Sequence, residues 1–371
     1  MVSLVPANPV SADFRAAVSG AITAFLDGQA ETLASLHPAT APLLERARVF
    51  TDGGKRLRPA FCAWAYAAVA GTDDLPDAVV RAAASLDVLH VSALMHDDVM
   101  DASDYRRGVP AAHRQFEADH RSAAWRGDPE QFGRAGAILL GDLLLVWSEE
   151  MYRRSGLGTA ELGRGRPHLE AVRTEVTAGQ YLDVLAQARD PYALSRTPEG
   201  RRHLTELTRT VVTWKSASYT IRRPLLLGAA LAGASDDQLD ALTAFAQPLG
   251  RAFQYRDDVL GIYGDEALTG KDSGEDLRVG KLTLLVAEAF GRASEADAAE
   301  LAGLFGDPGL DAAGVARARA IIDSSGAKDA VEEEIDREFD RAMAALAGSD
   351  LSDDGRAGLT ALARLAVRRD F

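Results

Sequence analysis

Residues 86–113 read LDVLHVSALMHDDVMDASDYRRGVPAAH, and the interpretation of the whole chain starts from this stretch. A segment of helical composition leads directly into the aspartates Asp97, Asp98 and Asp101. On a helix the carboxylates of Asp97 and Asp101 lie on the same side, because they are four residues apart, and their repulsion costs a few tenths of a kcal/mol. Such a cluster favours a bound cation. Mg²⁺ in particular takes one or two carboxylates, several waters and substrate phosphate oxygens.

Two arginines follow this acidic cluster within one short segment. Arg106 and Arg107 have planar donor groups that match the geometry of phosphate. Acidic runs are more often solvated helix faces, but here the aspartates emerge from an apolar helix and a second acidic pair, Asp257 and Asp258, ends another apolar segment far downstream. We therefore interpret the stretch as part of a metal–diphosphate site.

A third polar segment, TDGGKRLRP at residues 51–59, has features of a phosphate-binding loop. Its paired glycines break the helical pattern and let the backbone approach a ligand, while Lys55, Arg56 and Arg58 supply cations beside the start of the next helix. A solvated turn between two helices explains the same residues equally well.

Other polar residues remain open to two readings at this point. Gln180 and Asp183 share a helix face, and structural pairing or a place near a metal are equally consistent with that spacing. Lys215 lies in an otherwise uncharged stretch and would need a partner if buried. His90 on its apolar helix is more typical of a core residue than of a ligand.

Composition limits the class of protein. Net charge is −14 over 371 residues, which argues against a nucleic-acid surface. Cys62 is the one cysteine, so no intrachain disulfide or cysteine zinc site can form, and we expect a reducing, cytoplasmic location. We expect no signal peptide and no transmembrane segment.

The secondary-structure pattern is helical throughout. Ala, Leu, Arg and Glu dominate, and alternating β-branched residues are scarce. We predict an all-α fold in one domain spanning residues 1–371. We expect residues 1–10 to be a loose tail and residues 156–167 to be a glycine-rich connection between helices.

In this order and spacing, the motifs resemble the all-trans polyprenyl diphosphate synthases, including those that make geranylgeranyl diphosphate. The likeness covers nearly the whole chain, in GGKRLRP, HDDVMD, RRG, GQYLD, WKSASY, FQYRDDVLG and DLRVGK. It implies the isoprenoid synthase fold, an antiparallel helix bundle around a deep central cavity with both acidic clusters at its mouth.

The resemblance also implies substrates and site residues. Three Mg²⁺ ions would be bound by Asp97, Asp101 and Asp257, with Asp98 and Asp258 in support. The allylic diphosphate (dimethylallyl, geranyl or farnesyl) would be held by Arg106, Lys215, Ser216, Gln254, Lys271 and Lys281. Isopentenyl diphosphate would be held by Gly54, Lys55, Arg58, His90 and Arg107.

The chain departs from the family pattern at two positions. Gly261 stands where many members have a third aspartate, and Asp265 lies about one turn farther along. Ser216 replaces the usual threonine but keeps the hydroxyl.

Product length is expected to depend on the helix before Asp97. Ser92 and Ala93 are small where fifteen-carbon enzymes usually have aromatics, and Leu89 and Leu86 lie one turn deeper. We therefore expect geranylgeranyl diphosphate, with a longer polyprenyl diphosphate as the alternative. A class I terpene cyclase or a non-catalytic partner subunit fits less well, because GGKRLRP and both acidic motifs are present. By analogy with the family, we expect a homodimer.

Overall fold

The computed structural model describes residues 1–264 and 274–368, which are predominantly helical. The all-α prediction is confirmed, with two short two-stranded pairs added: β1 (Val2–Ser3) with β2 (Asp74–Leu75), and β3 (Tyr105–Arg106) with β4 (Val109–Pro110). The helices are α1 (Ala12–Leu36), α2 (Ala41–Thr51), α3 (Leu57–Ala70), α4 (Asp77–Met100), α5 (Ala112–Ser122), α6 (Pro129–Arg153), α7 (Thr159–Gln187), α8 (Pro191–Ser195), α9 (Pro198–Val211), a π-helix (Val212–Arg222), α10 (Arg223–Ala232), α11 (Asp236–Tyr263), α12 (Glu275–Arg278), α13 (Leu284–Arg292), α14 (Glu295–Leu304), α15 (Ala312–Ser324), α16 (Ala327–Ala347) and α17 (Asp353–Val367).

The chain divides into two compact units, each built from separate segments. Unit 1 comprises Met1–Pro167, Pro224–Ser235 and Leu351–Leu362, and unit 2 comprises His168–Arg223, Asp236–Asp350 and Ala363–Phe371. The prediction of one domain over residues 1–371 stays a prediction.

Helix α4 is the central element of unit 1. It packs against α1, α3 and α6, and nearly every position from Val79 to Met95 is buried or half-buried. By length and composition alone α4 could span a membrane, but 72% of its most apolar 18-residue segment is buried within the protein. That environment is typical of a core helix.

The first ten residues are not a loose tail, and that expectation is corrected. Val2 pairs with Leu75 in the β1–β2 pair, and Val2, Leu4 and Val10 are buried. The indole of Trp64 donates a hydrogen bond to the Pro9 carbonyl at 2.8 Å. Burial of these few apolar side chains offsets the entropy of ordering the segment.

The expected connection at residues 156–167 is also wrong in part. Helix α7 begins at Thr159 and continues through Pro167. The close approach of α10 explains Gly165, because a Cβ there would lie 2.8 Å from the Leu227 side chain. The glycine thus serves helix packing rather than a turn.

In unit 2, helix α11 packs against α16 and the π-helix. Small residues allow the close approach: a Cβ at Gly250 would lie 2.7 Å from Cα of Ala217, and one at Gly179 would lie 2.3 Å from the backbone nitrogen of Lys215. The π-helix is therefore held closely between α7 and α11. An eleven-residue π-helix is unusual, since such turns are mostly single insertions found at functional sites.

Candidate active site

The first acidic cluster lies where α4 ends. Asp101 is the C-terminal cap, and its N–H donates to the Asp97 carbonyl at 2.8 Å. Asp98 is fully buried and accepts a hydrogen bond from Nε of Arg106 at 2.9 Å and another from Nη2. Arg106 also lies 3.8 Å from the Asp97 carboxylate. The structure thus brings predicted metal-binding and diphosphate-binding residues together, with Asp98 orienting the arginine.

Arg106 ends β3, and Arg107 lies in the turn of the β3–β4 hairpin. Arg107 adopts a left-handed backbone conformation (φ 53°), which is uncommon for a residue other than glycine. Its guanidinium lies against the glycine loop, because a Cβ at Gly54 would be 3.3 Å from Nη2 of Arg107. The loop and the hairpin therefore meet, and both carry residues that we predict to bind isopentenyl diphosphate.

The glycine loop is fixed by Arg56. Gly53, Gly54 and Arg56 all have positive φ angles, so the backbone turns sharply before α3 begins. The buried Arg56 guanidinium donates to the Asp87 carboxylate at 2.9 Å and to the Thr51 carbonyl at 2.9 Å. Lys55 is exposed beside this anchor. Sequence reasoning missed Asp87, although its place on α4, three residues before His90, could have indicated it.

His90 is held neutral among cations. Burial lowers the pKa of the imidazole well below its usual range, and the charges of Arg58, Arg107, Arg106 and Arg56 lower it further. A region with so many positive charges around a neutral histidine attracts an anion. The structure therefore places the predicted residues Arg58, His90 and Arg107 in one electropositive region of unit 1.

The residues predicted to set product length lie in the buried part of α4. Ser92 donates its hydroxyl hydrogen to the Gly141 carbonyl of α6 at 2.7 Å, while Ala93 is half-buried. Leu86 and Leu89 are buried. Their role in product length stays a prediction.

The second acidic cluster lies on α11 in unit 2. Asp258 is 3% exposed and accepts a hydrogen bond from Nε2 of Gln254 at 2.8 Å. Burial, with smaller contributions from the charges of Asp276 and Asp257, raises the pKa of Asp258 to about 7. Lys281 and the hydrogen bond from Gln254 act in the opposite direction. A cation bound nearby would stabilise the charged form of this carboxylate.

A cleft in unit 2 brings together residues from four parts of the chain. Lys215 forms an ion pair with Asp183 at 2.6 Å, which shows that Asp183 has a structural partner. Five of the predicted site residues line this cleft: Lys215, Ser216, Gln254, Asp258 and Lys281. Lys271 and Asp265 lie outside the described residues.

Helix α7 makes a second contact with the π-helix one turn before Gly179. Glu175 accepts hydrogen bonds from the Ser218 hydroxyl at 2.6 Å and from Nε of Arg223 at 2.9 Å. Burial raises the pKa of Glu175, but the hydrogen bonds from Arg223 and Ser218 and the charges of the two arginines lower it by more, so that the pKa lies below its usual value. Lys215 and Ser216 thus lie on the π-helix, which contacts α7 near both of its ends.

The donor set fits Mg²⁺ bound together with a diphosphate. Within residues 1–264 and 274–368, no three acidic, histidine or cysteine side chains converge as a complete metal cage. Mg²⁺ rarely uses such cages and is bound through one or two carboxylates plus substrate phosphates. Asp258, whose pKa is raised chiefly by burial, supplies the carboxylate chemistry that this mode of binding needs.

Comparison with known proteins gives a consistent class. The sequence model of the family described as polyprenyl synthetase matches residues 42–322. The chain therefore belongs to the polyprenyl synthetase family, and it is a prenyltransferase.

Individual relatives carry more specific names. The chain is 33% identical to a geranylgeranyl diphosphate synthase from Methanosarcina mazei, over 71% of this chain and 72% of the relative. It is 31% identical to a geranylfarnesyl diphosphate synthase from Aeropyrum pernix, over 76% of this chain and 79% of the relative. A crystal structure of geranylgeranyl pyrophosphate synthase from Corynebacterium glutamicum, complexed with isoprenyl diphosphate and magnesium, has a TM-score of 0.88 and 39% identity over 96% of this chain and 99% of that chain.

Proposed function

We propose that the protein condenses isopentenyl diphosphate with an allylic diphosphate and releases geranylgeranyl diphosphate as its main product. The observation that supports this most is the electropositive region around His90, where the glycine loop, α4 and the β3–β4 hairpin bring their cations together. An elongating enzyme needs a site for a second diphosphate, and a cyclase does not.

The residues of unit 1 divide into two roles. Lys55, Arg58, His90 and Arg107 bind the diphosphate of isopentenyl diphosphate, with the Gly54 backbone alongside. Asp97 and Asp101 bind Mg²⁺, and Asp98 keeps Arg106 aligned through the hydrogen bond from Nε. A guanidinium held in one orientation loses less entropy when it binds phosphate.

The residues of unit 2 bind the allylic substrate. Asp257 and Asp258 hold Mg²⁺, and Lys215, Ser216, Gln254 and Lys281 hold the diphosphate in the cleft that they line. Three Mg²⁺ ions are expected in total, and when bound they supply neutralisation of the charge on the departing diphosphate. The side-chain cations stabilise the same charge as it develops.

The bond changes require no covalent protein nucleophile. The allylic C–O bond breaks, the isopentenyl double bond attacks the allylic carbon, and a proton is lost to the released diphosphate. Apolar side chains such as Leu86 and Leu89 exclude water from the reactive cation.

Product length is proposed to be twenty carbons. Ser92 and Ala93 leave room beyond fifteen carbons, and the relatives from M. mazei and C. glutamicum are named for geranylgeranyl diphosphate. The A. pernix relative, named for geranylfarnesyl diphosphate, favours a longer chain as the second candidate.

We further propose a single catalytic domain that acts in the cytoplasm as a homodimer. Helix α6 presents Phe132, Leu139 and Val146 at seven-residue spacing, and these side chains are 38%, 60% and 59% exposed. An apolar stripe of this kind on a helix suits a second copy of the same helix.

The decisive experiment incubates the purified chain with isopentenyl diphosphate, farnesyl diphosphate and Mg²⁺, and identifies the product by chromatography. The proposal predicts geranylgeranyl diphosphate and no product when the metal is chelated. A hydrocarbon released from geranylgeranyl diphosphate alone would indicate a cyclase. Inactivity of the purified chain alone would indicate a partner subunit.

A further inference from the structure

The β3–β4 hairpin and the end of α2 are connected by two separate routes, both within unit 1. The direct route runs through the turn of the hairpin. There Nη1 of Arg107 donates hydrogen bonds to the carbonyls of Phe50 and Asp52, each 3.5 Å long. Phe50 lies in the last turn of α2, and Asp52 caps that helix immediately before the glycine loop. The Arg107 guanidinium therefore reaches the point where the glycine loop begins.

The second route begins at helix α5, which holds the base of the hairpin. The Gln115 side-chain amide donates to the Pro110 carbonyl of β4 at 2.7 Å. Nε of Arg114 donates to the carboxylate of Asp104, just before β3, at 2.7 Å. Because Arg107 has an uncommon left-handed backbone conformation, its orientation persists only while such contacts hold the hairpin in place.

Arg46 of α2 completes the second route by joining α2 to α5. Its side chain is 9% exposed and forms an ion pair with Asp119 of α5. Nη2 also donates to the Gln115 carbonyl at 3.4 Å, and Cζ lies 4.3 Å from the centre of the Phe116 ring. One buried cation thus links the helix that precedes the glycine loop to the helix that holds the hairpin.

We propose that Arg46 is a positioning residue for isopentenyl diphosphate: by holding α2 and α5 together, it sets the position of the Arg107 guanidinium relative to the glycine loop. This role rests on the proposed function of the loop and the hairpin. Arg46 acts through Arg107, because its own guanidinium is buried between two helices and is paired with Asp119. A planar guanidinium can serve an ion pair, a carbonyl and an aromatic ring together, which an ammonium group cannot do.

Substrate affinity tests this role. Isothermal titration of the full chain with isopentenyl diphosphate, without allylic substrate, gives the Kd, and initial rates give the KM of each substrate. Arg46→Met should raise the Kd and KM for isopentenyl diphosphate about tenfold, the effect of losing one charge-assisted hydrogen bond, while the KM for the allylic substrate stays the same. Arg46→Lys keeps the charge without the planar group and should give an intermediate Kd.

Two variants separate positioning from stability. The double variant R46M/D119L replaces the ion pair with apolar side chains and should melt at a temperature close to that of wild type, yet keep the raised Kd. The matched control on α5 is Arg121→Gln, which removes an ion pair with Glu117; Arg121 is 59% exposed, and we expect the wild-type Kd. If Arg46→Met does not fold, Arg46→Lys and the double variant carry the test.

A wild-type Kd in the double variant would overturn the inference, because Arg46 would then contribute to stability alone. An equal rise in the KM of both substrates would also overturn it, since that result indicates a general loss of structure. If the wild type elongates an allylic primer and every Arg46 variant binds isopentenyl diphosphate equally well, only the role of Arg46 fails. If the wild type neither binds isopentenyl diphosphate nor elongates a primer, the proposed function itself fails.

Discussion

Replacing Asp87 with asparagine should loosen the glycine loop and weaken isopentenyl diphosphate binding. The Arg56 and Asp87 side chains are 3% and 8% exposed, and besides Asp87 the guanidinium contacts the Ser19 hydroxyl at 3.0 Å and the Thr51 carbonyl at 2.9 Å. Removing the carboxylate leaves a buried charge with neutral partners in the described part of the chain. The free energy of unfolding should fall by about 3–5 kcal/mol, as for other broken buried pairs.

One side of the loop borders a cavity. A cavity of about 370 Å³ lies between the loop, α1 and α2, lined by Thr51, Asp52 and Arg56 among others. The loop can therefore shift toward this space once the ion pair is lost. We expect the KM for isopentenyl diphosphate to rise about tenfold, on the order of 1.4 kcal/mol, while the KM for the allylic substrate stays the same.

Two variants control for general destabilisation. Arg48→Gln removes an ion pair between Arg48, at the wall of the same cavity, and Asp27. These two side chains are 37% and 62% exposed, so the free energy of unfolding should fall by less than about 1 kcal/mol. The double variant R56M/D87L should recover stability but not substrate affinity. Urea unfolding and initial rates measure both quantities. An Asp87→Asn protein with unchanged stability and unchanged KM would refute the role of the anchor.

Three further predictions concern other parts of unit 1. The pKa of His90 is lowered in the fold, so below about pH 6.5 the unfolded chain binds more protons and the free energy of unfolding should fall by up to about 1.4 kcal/mol per pH unit. Unfolding free energies of wild type and His90→Gln at pH 5.5 and 7 measure this loss, and an equal pH dependence in the two proteins would contradict the prediction. Gly228→Ala places a Cβ 1.9 Å from the Cys62 carbonyl oxygen and should lower the free energy of unfolding by about 2–3 kcal/mol. The control Gly163→Ala meets nothing within 4 Å and should leave the melting temperature unchanged or raise it, so an equal loss of stability in both variants would count against the packing argument. Ser92→Phe should shorten the prenyl product on chromatography, and an unchanged chain length would reject that placement.

The local chemistry of the site was readable from the sequence because its motifs are short and contiguous. The DDVMD cluster ends a helix as expected. The two glycines before Lys55 have positive φ angles, which allow the backbone to turn sharply there. Lys215, expected to need a partner, has one in Asp183.

Features that depend on distant contacts could not be read in the same way. The position of Asp276 beside Gly261 depends on how α12 packs against α11, and no spacing rule relates these residues. Val2 and Leu4 look like a frayed end until the contacts of β1 with β2 and α1 are known. Gly165 suggested a turn because the sequence does not reveal that Leu227 approaches the helix there.

Two ion pairs hold the π-helix against α7, and we call them the clamps: Lys215 with Asp183 near one end of the π-helix, and Arg223 with Glu175 just past the other end. The register of the π-helix against α7 therefore depends on the number of residues between the two clamps. Deleting a single residue between the clamps would shorten the wide coil toward an ordinary α-helix and swing one clamp about 100° away from its partner. The length of this segment is therefore as constrained as the identity of the lysine it presents.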